Sequence, residues 1–312
     1  MSEAPDIQVV RDYFSELQRS ICARLEELDG AQRFRGDESA SPGGGVARPR
    51  VIEGGTHLEK AAVQFTHSVG ASLPPAATER NPHLVGHGFQ AVAISLIVHP
   101  RNPHAPTTHM NLRFFLVETQ EPVWYFGGGF DLTPYYGYED DCVHWHQQAL
   151  NACAPFGASL YPELKQACDS YFFLPHRNEP RGVGGIFFDD WTRGGFARSV
   201  AFVRSVGDHF LPAYLPILER RVHMPSGERE RCFQLYRRGR YAEFNLAIDR
   251  GTKYGLQSGR RVESVLASLP PLAAWQYDFH PDPGTPEADL YERFLPAKWW
   301  VGGPNVVDKS GD

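Results

Sequence analysis

The chain has 312 residues, 42% of them hydrophobic, which is enough to bury a full core. Its net charge of −6 argues against a general nucleic-acid binder, and no apolar run approaches the roughly 20 residues of a membrane-spanning helix. Met1–Ile7 carries Glu3 and Asp6 and lacks the pattern of a secretory or organelle leader, so a cytoplasmic protein without membrane insertion is expected.

In chain order, residues 6–29 predict an amphipathic helix, because Val10, Phe14, Leu17, Ile21, Leu25 and Leu28 recur at spacings of three or four. Gly36–Pro49, rich in Ser, Gly and Pro, reads as a flexible loop. From Phe89 the period changes: FQAVAISLIVH, NLRFFLVE and VWYFGGGFDL are apolar, β-branched or aromatic runs that predict neighbouring antiparallel strands. Helices are expected over 139–153, with Glu139, Asp140 and Asp141 in the first turn, and over 162–174. GGIFFDDW (184–191) reads as a buried strand, 196–223 as one or two helices with a proline interruption, and 228–238 as a further helix. RYAEFNLAID (240–249) alternates like a strand, and LAAWQYDF reads as a last one. This order favours an α+β fold, with helices around an antiparallel sheet, over a parallel βαβ layout.

The five cysteines are odd in number and contain no CxxC, which fits reduced thiols better than a disulfide framework or an iron–sulfur site. Of the 31 basic residues five are Lys and 26 Arg, with clusters at Arg237, Arg238, Arg240 and at Arg260, Arg261. Guanidinium groups pair bidentately with carboxylates, so this bias reads either as solvated surface charge or as recognition of a polycarboxylate. Gly127, Gly128 and Gly129 follow a strand but run into Asp131 and Pro134, and Gly182, Gly184 and Gly185 enter a strand rather than leave one. Neither is a dinucleotide fingerprint, and no organic cofactor is indicated. Such glycines suggest backbone packed against something flat or bulky.

Seven of the 13 histidines fall between His83 and His146. A hairpin through PRNPHAPTT would bring His99 and His109 together, and His109, Asn111 and Arg113 share a strand face at period two. That face is either solvated or a site where an imidazole donates a proton beside a carboxylate-anchoring Arg. His99, His109, His146 and His176 would suffice for a divalent metal, although their spacing matches no compact ligand motif. Asp131, and Asp189 with Asp190, end strands and either cap turns or hold protons.

The segments SLIVHPRNPHAPTTHMNLRFF, WYFGGGFDLTPYYGYEDDCVHWH, YFFLPHRNEPRGVGGIFFDDW, ERERCFQLYRRGRYAEFNLAIDRGTKYGLQSGRRVESVL and PPLAAWQYDF span most of the chain. In them it closely resembles the aerobic coproporphyrinogen III oxidase family. The resemblance implies one domain over 1–312, a flat antiparallel sheet sandwiched between helices, and a homodimer with its contact near 241–276. It implies coproporphyrinogen III as substrate and O2 as co-substrate. By position, His109 matches the proton donor, Ser95, Asn111 and Arg113 match substrate-binding residues, and Asp131 matches an aspartate set against the tetrapyrrole centre. Gly259, Arg260 and Arg261 match a further binding segment, where this chain has Gly-Arg-Arg for the family's Gly-Gly-Arg. His99, His109, His146 and His176 match positions given as metal ligands in some bacterial members.

Overall fold

The computed structural model describes residues 4–72, 84–257 and 260–303. Helix α1 (Ile7–Asp29) starts where the Asp6 carboxylate accepts from the Gln8 amide at 2.9 Å, and stops at Gly30, whose φ of 72° suits glycine. Its stripe of Val10, Phe14, Leu17, Ile21 and Leu25 is buried as the spacing predicts.

One antiparallel sheet of seven strands carries the molecule. It runs in the order β1 (Ser39–Ser41), β2 (Gly45–Glu53), β3 (Leu58–Gly70), β4 (Gly88–Pro100), β5 (Thr107–Glu118), β6 (Val123–Thr133), β9 (Gly184–Trp191). Helices α2 (Glu139–Cys153) and α3 (Leu160–Tyr171) intervene before β9, followed by the short pair β7 (Phe173–Leu174) and β8 (Glu179–Pro180). Even-numbered residues of β4, β5, β6 and β9, among them Ile94, Leu112, Phe114, Phe130 and Ile186, pack with α1 and with α4 (Gly195–Arg221) in the main core, which runs from Val10 to Leu295. The other face meets α5 (Glu228–Glu243) and the chain beyond it: Tyr241 and Ala267 close on Ala62 and Ile97, and Phe244 on Phe187. The α+β expectation holds, with the sheet between two layers.

Three local expectations differ from the structure, and one further strand had none. Gly36–Pro49 is not simply a loop, because it contains β1 and the start of β2. Strand β3 falls in a stretch left without a prediction, although Ala61, Val63 and Phe65 alternate inward. RYAEFNLAID is helical: α5 continues to Glu243 and gives way to a π-helical turn, Phe244–Ile248, and Tyr241 and Phe244, three residues apart, both face the sheet layer. LAAWQYDF forms no strand, and its Ala274 amide donates to the Leu235 carbonyl of α5 at 2.9 Å.

Helix α4 runs unbroken through Pro212 and Pro216. Pro216 has no N–H for the Pro212 carbonyl, and His144 of α2 supplies the donor instead, at 3.0 Å from Nε2. All five cysteines are free, four of them buried.

Candidate active site

Register fixes what the sheet presents to the α5 side. Three cross-strand rows run Ala62–Ile97–His109–Asp131–Gly185, Gln64–Ser95–Asn111–Gly129–Phe187 and Thr66–Ala93–Arg113–Gly127. Ser95, His109, Asn111 and Arg113 therefore share one face, as period two predicts for the last three, and all four are half-buried.

The glycine triplet has specific neighbours. A Cβ on Gly127 would lie 2.7–2.8 Å from Nη2, Cζ and Nε of Arg113, so its absence lets that guanidinium lie flat across β6. Gly129 has φ of 141°, and a side chain there would strike the Ile186 carbonyl, which would prevent the pairing of β6 with β9. At Gly127 the flat group against the backbone is the Arg113 guanidinium, whereas Gly128 and Gly129 admit the close approach of the Asn111 and Ile186 carbonyls.

Arg113 Nη1 donates to Asn111 Oδ1 at 2.8 Å, and Nη2 donates to Asp189 Oδ1. Arg250 of α6 (Arg250–Gln257) donates to the other oxygen of Asp189, and its guanidinium lies over the Tyr171 ring at 4.8 Å. Nothing in the sequence pattern singled out Arg250, because its partner is 61 residues away.

Asp131 is 1% exposed and doubly held. Arg181 Nη2 donates to both its oxygens at 2.7 and 2.8 Å, and His109 Nδ1 donates to Oδ1 at 3.0 Å. The Arg181 guanidinium is enclosed by the rings of Phe172, Phe244 and Tyr241 at 4.1, 4.6 and 4.8 Å. Burial alone would raise the Asp131 carboxyl, but Arg181 and His109 outweigh it and hold it below the usual carboxylate range. Asp131 thus stands behind His109 rather than open to a ligand. With Nδ1–H engaged, His109 keeps Nε2 without a hydrogen-bond partner among the described residues.

The remaining predicted residues are distributed differently. Arg260 Nη2 donates to Ser68 Oγ at 2.9 Å, its guanidinium 5.0 Å from the Tyr254 ring, while Arg261 pairs with Glu263 at 3.2 Å and is 72% exposed. Arg260 is the one turned toward the sheet, and Gly259 lies outside the described residues. The cluster Arg237, Arg238, Arg240 is buried and paired internally with Glu179, Glu59 and Glu243, which removes it from ligand recognition.

The four histidines read as metal ligands do not converge. Among the described residues no group of three or more His, Cys, Asp or Glu side chains is placed to hold a metal ion. His99 Nε2 faces the Ser268 carbonyl at 2.9 Å and Nδ1 faces Thr107 Oγ1 at 3.1 Å. His146 Nε2 faces the Val183 carbonyl at 2.9 Å and Nδ1 the Tyr161 hydroxyl at 3.0 Å. A carbonyl only accepts, so in each ring Nε2 carries the proton and the Nδ1 lone pair is taken by a hydroxyl. His176 pairs with Glu243 at 2.8 Å. These donors do not fit a shared metal. No helix among the described residues is long and apolar enough to cross a membrane.

A family model described as coproporphyrinogen III oxidase matches residues 9–300 of the chain.

Proposed function

Because the chain belongs to the coproporphyrinogen III oxidase family, an oxidative decarboxylase family of porphyrin and haem biosynthesis, we propose that it converts coproporphyrinogen III to protoporphyrinogen IX with O2 as oxidant. Each of two propionates, –CH2–CH2–COO⁻, would react with O2 and a proton to give –CH=CH2, CO2 and H2O2. The substrate supplies the electrons, so the chemistry asks of the protein only binding, orientation and proton transfer.

The observation that carries this reading is the His109–Asp131–Arg181 chain beside the Asn111–Arg113 pair on one sheet face. Asp131 fixes His109 with its proton on Nδ1, leaving Nε2 to exchange a proton with the macrocycle. Arg113 and Arg260 offer guanidinium donors to propionates, with Ser95 and Asn111 beside them. No step is routed through a metal, since the lone pairs of His99 and His146 are committed elsewhere. We also infer a homodimer: Leu246, Leu256, Val262, Leu272 and Trp275 are all 48–56% exposed and fall within 241–276.

The test is purified protein with coproporphyrinogen III in air, following O2 uptake and the absorbance of the oxidised divinyl product, with an anaerobic control. Turnover should require O2, survive prolonged treatment with a chelator, and fall about 10²–10⁴-fold in His109→Asn. Equal turnover without O2 would replace the proposed oxidant, and full activity in His109→Asn would remove that residue from the proton path.

A further inference from the structure

A single carboxylate, that of Asp189, lies between two guanidiniums from opposite sides of the site. Oδ1 accepts from Arg113 of β5 and Oδ2 from Arg250 of α6. All three side chains are only partly covered, at 24%, 15% and 38% exposure for Arg113, Asp189 and Arg250. The two guanidiniums share one aromatic floor, with their Cζ atoms 5.8 and 6.0 Å from the Phe187 ring centre. A pair of arginines joined by a bridging carboxylate at the rim of a site is the arrangement a ligand carboxylate would itself adopt.

We propose that Asp189 is an internal carboxylate occupying the place of a substrate propionate on the Arg113–Arg250 pair, and that it yields this place when the macrocycle binds. The inference rests on the proposed function and deepens it by naming what sets the affinity of that site. An intramolecular carboxylate competes at a high local concentration, so a ligand bearing one propionate alone does not displace it. A macrocycle with several propionates does, because its other contacts add to the exchange. Asp189 thereby selects for polycarboxylates, and the apparent affinity for substrate is lowered by the fraction of molecules in which the pair is closed.

The experiment compares wild type with Asp189→Asn, which keeps shape and an acceptor oxygen but removes the charge. Three quantities are read: KM and kcat with coproporphyrinogen III, the affinity for coproporphyrin III by fluorescence quenching, and inhibition by simple propionate. Asp189→Asn should bind coproporphyrin III more tightly and show a KM lower by about tenfold, as expected if the pair is open in about one molecule in ten. It should also become sensitive to millimolar propionate that leaves wild type unaffected. A purely structural role predicts the reverse, a raised KM and weaker porphyrin binding; that result, or values equal to wild type, overturns the proposal. Should Asp189→Asn fail to fold, Asp189→Ser carries the same three readouts. If wild type itself neither binds nor converts the tetrapropionate macrocycle, it is the proposed function that fails.

Discussion

Asp131 illustrates how burial changes what a single residue can be asked to do. A carboxylate that only met substrate would tolerate removal, whereas here it neutralises Arg181, which is 2% exposed beneath three rings. Asp131→Ala would strand that guanidinium and should destabilise the protein by about 3–5 kcal/mol, measured by urea unfolding. A loss below about 1 kcal/mol would show that Arg181 finds other compensation. Asp131→Asn, which keeps one acceptor oxygen, is expected to be milder in stability while still depressing turnover through His109. Arg181 could not be read from sequence, because one guanidinium among 26 in a stretch of Pro and Gly carries no periodic mark. Its role appears only when the turn before β9 brings it to β6, 50 residues away.

Between elements, buried polar groups are the joints. His146 of α2 links Tyr161 of α3 to the Val183 carbonyl just before β9, and burial pushes its pKa from 6.5 down to about 3, with the Val183 carbonyl opposing. Its folded value is depressed, so below pH 6.5 the unfolded chain takes up a proton that the folded chain refuses. The stability it contributes is complete above that pH and is lost as pH falls toward 3. Glu243 behaves alike in a lower window. Burial would raise it, but Arg177, His176, Trp275 and Arg240 bring it from 4.5 to about 2. Melting temperature should therefore decline steadily from pH 7 to 4, and His146→Gln should flatten that decline. An identical slope in the variant would assign acid lability to other groups.

For the whole molecule, the main core draws on residues from Val10 to Leu295, so unfolding should be a single cooperative transition by calorimetry. The exposed apolar side chains of 246–275 have no counterpart in that core. If they form the contact between two copies, Leu272→Glu combined with Val262→Glu should reduce the mass in light scattering from twice the 35.0 kDa of the chain to that value. A wild type that already runs as a monomer would refute the assembly.

The helical stripe of α1, the strands β4 to β6 and the shared face of His109, Asn111 and Arg113 were legible in the sequence, because periods of 3.6 and 2 express directly which residues turn inward. Period two misled at 240–249, where Tyr241 and Phe244, three residues apart on a helical segment, reach the same layer. Tertiary structure alone decided which charges neutralise one another: Arg181 with Asp131, Arg250 and Arg113 with Asp189, Arg238 with Glu59. Those partners lie 50 to 179 residues apart, and electrostatic pairing depends on distance through space, which no local pattern encodes.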